Sequence, residues 1–323
     1  MSTMRFVDER SRRIALALGS GGARGYAHIG AIGVLRERGY EIVNVAGSSM
    51  GALVGGLFAA GKLEAFTEWA LGIRQVDVLR MLDPAIMGPG VIRAEKVIEH
   101  VGELLSGAVI EDLPVAFTAV ATDLLTRRTV WFQEGPVDVA IRASIAIPGL
   151  ITPVVWNGRL LADGGILDPV PIVAAASARA DATIAISLTG ERRGHGEGVP
   201  VRESAADRPV EEWLDRFRRA AGQWFDRDAV RALTDRVRSR RRGTPPEDDE
   251  SSTLLPSGLW PQDVLNLSLE AMQDLVTRYR LAGYPPDVLI TVPKDACRTM
   301  EFHRAKEMIE LGRRLTAEAL DAG

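Results

Sequence analysis

After a polar start, the chain presents an unbroken apolar run at 14–18, Ile-Ala-Leu-Ala-Leu, closed by Gly19. A short apolar run of this kind predicts a strand buried on both faces, as in a parallel sheet. Apolar positions then recur at Ile29, Ile32 and Leu35, a spacing that predicts a helix over 26–38 with Gly39 as a left-handed C-cap. A second run at 42–46 and a helical stretch over 50–60, ended by Gly61, repeat the pair. Strand, helix, strand, helix with short connections predicts a right-handed βαβ unit in a parallel sheet. Further along, the pattern predicts helices over 94–105 and 137–144, the latter stopping before Pro148-Gly149. Strands are expected over 115–120, 129–132, 160–162 and 183–188, with another helix whose first turn holds Pro169.

Between about 190 and 256 the pattern is lost and charge dominates. Arg236, Arg238, Arg240, Arg241 and Arg242 precede Pro245-Pro246 and the acidic run Glu247-Asp248-Asp249-Glu250, the composition of a charged, partly flexible insertion. Inside it Trp213, Phe217, Ala220 and Trp224 recur at helical spacing with arginines nearby. That stripe suits either an interfacial helix or lid, or packing on the domain. Core-like periodicity resumes with a helix over 264–281, a strand over 288–292 and a helix over 302–320. The expected organisation is one α/β domain, 12–190 plus 257–323, interrupted by the insertion at 191–256.

Composition narrows the functional classes. With 323 residues, 46% of them apolar and 25% charged, the chain is an ordinary globular one, large enough for a substantial core. A net charge of -4 gives no general bias toward nucleic acid. The single cysteine, Cys297, excludes an internal disulfide framework, and four scattered histidines without ligand spacing leave no expected metal site. No apolar run reaches membrane-spanning length, and the five apolar residues after Arg12-Arg13 fall short of a signal peptide's core. The expectation is a cytoplasmic protein.

Candidate chemistry lies in the turns. Gly47-Ser48-Ser49-Met50-Gly51 is a Gly-x-Ser-x-Gly pentapeptide between a predicted strand and a predicted helix. That setting makes a strained elbow with the central side chain above the sheet, so Ser49 is the candidate nucleophile; Gly47 and Gly51 allow the chain to pass close by. Gly19-Ser20-Gly21-Gly22-Ala23-Arg24-Gly25 also joins a strand to a helix. Consecutive glycines let backbone N–H groups converge on an anion, either a nucleotide phosphate or a tetrahedral oxyanion. The dinucleotide fingerprint fails because Arg24 occupies its third glycine, and no Walker lysine is present. His100, His195 and His303 are poorly placed as a serine's base. Asp163-Gly164-Gly165, directly after a predicted strand, offers a carboxylate instead, with Asp123 and Asp168 as rivals better suited to capping.

Together these segments resemble the bacterial patatin-like phospholipases. The resemblance rests on Gly19–Gly25 running into Tyr26-Ala27-His28-Ile29-Gly30, then the serine elbow, then Ala143-Ser144-Ile145-Ala146-Ile147-Pro148-Gly149, and finally Asp163-Gly164-Gly165 with Pro171 beyond. It implies a three-layer α/β sandwich with a mainly parallel sheet and a Ser-Asp dyad without histidine: Ser49 as nucleophile, Asp163 as base. It also implies an oxyanion hole of the Gly21 and Gly22 N–H groups, with Arg24 in support and no cofactor or metal. Ser20 stands where many members have glycine, which leaves its contribution open. The implied activity is hydrolysis of fatty-acyl esters of phospholipids or lysophospholipids, with peripheral membrane contact. A nucleotide-binding module and a catalytically silent membrane or protein adaptor remain the alternatives. An aspartate at its ordinary pKa near 3.9 is a weak base for a hydroxyl, so the apolar neighbours Leu160, Leu161, Ile166 and Leu167 are expected to raise it.

Overall fold

The computed structural model describes residues 13–75, 95–148, 151–176, 179–190 and 261–322. His195, the Trp213–Trp224 stripe, the basic run at 236–242 and Gly149 lie outside the described residues. By compactness the chain divides into two units, Met1–Gly194 with Leu267–Gly323, and His195–Asn266. The first carries an eight-stranded sheet: β1 (Arg13–Leu18), β2 (Glu41–Ser48), β3 (Ala116–Asp123), β4 (Arg128–Phe132), β5 (Val154–Trp156), β6 (Arg159–Asp163), β7 (Ala182–Gly190) and β8 (Val288–Pro293). The helices are α1 (Ala27–Glu37), α2 (Met50–Ala59), α3 (Leu63–Leu71), α4 (Glu95–Leu105), α5 (Val137–Ser144), α6 (Ile172–Ala175), α7 (Pro261–Gly283) and α8 (Ala305–Asp321).

Strand order is β5-β6-β3-β2-β1-β7-β8, with β4 also paired to β3. The pairs among β3, β2, β1, β7 and β8 are parallel, while β4, β5 and β6 add antiparallel pairs at one end. The mainly parallel α/β class expected from the periodicity is therefore the one found. Alternation within β1 sets the layers. Ile14, Leu16 and Leu18 enter the larger core with α1, α2 and α8, while Ala17 faces the other side, where Val170, Ile172 and Leu281 pack. Large side chains on one face and alanine on the other let helices cover both.

The last helix closes the domain against the first. A Cβ on Gly30 of α1 would lie 2.0 Å from the Ile309 carbonyl oxygen, and one on Gly312 of α8 would lie 2.0 Å from that of Ala27. Reciprocal glycines thus let the two backbones touch. The helix expected at Pro169 is not formed: α6 begins only at Ile172, after Pro171. Proline disfavours the helical region for the residue before it, here Val170, and the Pro169 carbonyl instead accepts the Ser20 N–H at 2.8 Å.

Candidate active site

Register explains why distant residues meet. β4 runs along Ala119–Asp123 of β3, so both partners on β3's opposite edge must share it in sequence. β2 pairs along that edge up to Ser48↔Val120, and antiparallel β6 takes it over from Asp163↔Ala121. The two strands approach end to end, and the residues at their tips, Ser49 and Asp163, are brought together although 114 positions separate them (163 − 49). Both are buried, at 4% exposure each.

Ser49 has φ 56 and ψ -123, a conformation foreign to a non-glycine residue and worth about 1–3 kcal/mol of strain. Surrounding bonds hold it there. Its N–H donates to Ser144 Oγ at 2.9 Å, and the Ser144 hydroxyl donates to the Val120 carbonyl at 2.6 Å. Its carbonyl opens α2 by accepting the N–H groups of Ala52 and Leu53. The elbow requires glycine on either side. A Cβ on Gly47 would lie 2.2 Å from the Gly51 carbonyl oxygen, and one on Gly51 would lie 2.1 Å from that of Leu18. Because the obstacles are backbone, Gly51→Ala is expected to destabilise the fold by at least about 3 kcal/mol, seen as a lower urea midpoint or loss of soluble protein.

Asp163 ends β6, its N–H donating to the Ala146 carbonyl at 2.9 Å. Oδ1 accepts the Gly165 N–H at 2.7 Å, while Oδ2 is buried and makes no hydrogen bond of full geometry among the described residues. Burial pushes the carboxyl up to about 6, against the Ser49 hydroxyl and the Gly165 N–H, which favour the ionised form. The elevation expected from the apolar neighbours is present, and its cause is desolvation.

The glycine loop lies at the carboxyl end of β1, the edge where open α/β sheets receive ligands. The N–H groups of Gly19, Ser20 and Ala23 are taken by the carbonyls of Ile186, Pro169 and Thr299. Those of Gly21 and Gly22 donate to no described residue. The Ser20 N–H is therefore already engaged by a backbone carbonyl. Arg24 Nε donates to the Gly21 carbonyl at 3.2 Å and Nη1 to that of Lys294 at 2.9 Å. In a trans peptide, fixing the Gly21 carbonyl turns the Gly22 N–H the opposite way. Arg24 thus acts on the loop's backbone.

The remaining titratable residues sort plainly. His28 is wholly buried, its Nε2 2.8 Å from the Gly19 carbonyl, and burial pushes it down to about 4, so at neutral pH it is uncharged. His100 stacks on Trp69, with ring centroids 4.6 Å apart. Asp123 caps the turn after β3, accepting from Leu125 N–H and the Thr126 hydroxyl. Asp168 is not a cap: it is buried in an ion pair, Oδ2 standing 3.2 Å from Arg280 Nη1. Among the described residues, no three His, Cys, Asp or Glu side chains group as a metal site, and no helix is long and apolar enough to cross a membrane. Sequence reasoning named the segment holding Ser144 but not its role, because a serine at a helix end looks like any other polar residue.

The sequence profile of the family described as Patatin-like phospholipase matches residues 16–176. An uncharacterized NTE family protein of Mycobacterium tuberculosis is 47% identical over 347 aligned positions, covering 99% of this chain and 95% of the relative. A lysophospholipase of Mycosarcoma maydis is 31% identical over 190 positions, covering 54% of this chain and 10% of its own length. Among solved structures, VipD from Legionella pneumophila aligns with a TM-score of 0.43 at 15% identity, over 97% of this chain and 67% of the other. The chain belongs to the patatin-like phospholipase family, and its full-length relatives set it with the NTE proteins. It is a lipid hydrolase.

Proposed function

We propose that the protein hydrolyses fatty-acyl esters of phospholipids or lysophospholipids through an acyl-enzyme on Ser49, with Asp163 as the base. One observation carries this reading: a strained, buried serine faces a buried carboxyl whose pKa is raised to about 6 and whose ionised form that serine's hydroxyl favours. A carboxylate so raised is a better proton acceptor than a solvated one and remains ionised at neutral pH.

The chemistry follows in two halves. Asp163 takes the hydroxyl proton as Ser49 Oγ attacks the ester carbonyl. The N–H groups of Gly21 and Gly22 hold the resulting oxyanion, each such donor typically contributing ~10² to 10³ in rate. Collapse expels the alcohol, the lysolipid or glycerophospho group, which leaves with the proton from Asp163. Water then attacks the acyl-enzyme, gives its proton to Asp163, and releases the fatty acid with Ser49 restored. Ester specificity beyond the acyl group is supported only by the family and by the lysophospholipase name of one relative. Peripheral contact with a membrane would supply such substrates.

The reading predicts the pH dependence. Because the base must be ionised, kcat/KM is expected to be flat above about pH 7 and to fall tenfold per unit below an apparent pKa near about 6. A profile still flat at pH 4.5 would exclude Asp163 as base. The substrate is tested by comparing a diacyl phospholipid, a lysophospholipid and a short-chain ester with the native chain, Ser49→Ala and Asp163→Asn. Turnover of the lipids by the native chain alone supports the proposal; equal turnover by all three proteins overturns it.

A further inference from the structure

Five residues beyond Asp163 lies the one buried ion pair among the described residues that bears on this loop. Asp168 is fully buried, and its backbone joins the two halves of the site. Its N–H donates to the Gly164 carbonyl at 2.9 Å, next to Asp163. Its carbonyl accepts the Ser48 hydroxyl at 2.6 Å, next to Ser49. Whatever fixes Asp168 therefore fixes the neighbours of both reacting groups. Neither carboxylate oxygen of Asp168 has a well-formed hydrogen bond, so the Arg280 guanidinium, 3.2 Å from Oδ2, is its compensating charge. Arg280 also donates from Nε to the Leu167 carbonyl at 3.1 Å.

We propose that Arg280 is a positioning residue for the hydrolysis: by gripping Leu167 and Asp168 it sets the loop that presents Asp163 to Ser49. The proposal rests on the assignment of those two residues as base and nucleophile. The geometry has the features such a role needs. Arg280 sits on α7, outside the strand and turn that carry Asp163, so it supplies a restraint the loop does not provide for itself. Its two contacts are on adjacent residues, which the rigid fork of a planar guanidinium holds in one geometry that a flexible ammonium does not impose. Burial pushes the Asp168 carboxyl up to about 7 against the opposing pull of Arg280, so removing the arginine favours the neutral acid and takes away both the ion pair and the grip on the Leu167 carbonyl. A displacement of about 1 Å at a reacting group is enough to cost on the order of 10² in rate.

The experiment measures phosphonylation of the full chain by a fluorophosphonate, separating the fraction of sites that react from the rate constant per reacting site. Wild type, Ser49→Ala, Arg280→Gln and Arg280→Lys are compared. Arg280→Gln is expected to label to full stoichiometry but about 10- to 100-fold more slowly, with Arg280→Lys in between because it keeps the charge and loses the fork. A merely structural arginine would lower the labelled fraction and leave the per-site rate unchanged; that result, or wild-type behaviour in both variants, overturns the proposal. Should Arg280→Gln fail to fold, the double variant Asp168→Asn/Arg280→Gln removes the buried charge together with its partner. Slow labelling of that protein supports the role, and the wild-type rate refutes it. Labelling that persists in Ser49→Ala, or is absent in wild type, defeats the site assignment itself and this proposal with it, and is distinguishable from failure of Arg280 alone.

Discussion

Ser49→Ala is expected to abolish ester hydrolysis, lowering kcat by roughly 10⁴ to 10⁶ as deletion of a serine nucleophile does elsewhere. The size follows from the site's composition. With the hydroxyl gone, only the loop donors remain, and these stabilise an oxyanion that nothing is left to form. The fold should be untouched. The Ser49 side chain makes no capping hydrogen bond to α2, and its backbone N–H keeps its bond to Ser144. Alanine is as strained as serine at φ 56. Circular dichroism is therefore expected to match wild type, with only a small fall in melting midpoint at neutral pH as ionised Asp163 loses the Ser49 hydroxyl, while turnover and fluorophosphonate labelling vanish. Activity within tenfold of wild type would remove Ser49 from the mechanism.

The second expectation joins activity to stability with opposite signs. Asp163→Asn removes the proposed proton acceptor, so kcat should fall by at least about 10³. The same change should make the folded state more stable at neutral pH. In the folded chain this carboxyl is raised to about 6 from an ordinary value of 3.8, so between those values the native state binds the proton that the unfolded state has released. Stability contributed by the protonated form is present below about pH 4 and is lost as pH rises through about 6. Above that, the buried charge costs up to about 3 kcal/mol. Asparagine keeps an oxygen for the Gly165 N–H and carries no charge. Urea unfolding is expected to show a higher midpoint for Asp163→Asn at pH 8 and no gain at pH 4. A variant less stable than wild type at pH 8 would show that the carboxylate is structurally needed rather than tolerated for function.

Much of this was legible in residues that act locally. The elbow needs a strand, a turn and a helix in immediate succession, with glycine wherever backbones touch, and all of that lies within a dozen positions around Ser49. The direction of the Asp163 shift was foreseeable too, although it is burial in the folded chain that produces it. Residues that act across the fold were harder to read. The chain alone left the contribution of Ser20 open, and its N–H is taken by Pro169, far along the sequence. Asp168 looked like a cap, and the cation that pairs it lies 112 positions away (280 − 168). Ser144 carried no local sign that it would hold the Ser49 backbone.

By itself, then, the order of apolar and polar residues determined the α/β class, the two glycine-rich turns and the serine that one of them strains. These follow from side-chain period and backbone sterics, which operate over a few residues. Only the tertiary structure decided that β2 and β6 share an edge of β3 and meet at their tips, which loop N–H groups stay unclaimed, and which arginine reaches Asp168. Pairing between distant segments depends on which surfaces the assembled sheet leaves open, and no local pattern encodes that choice.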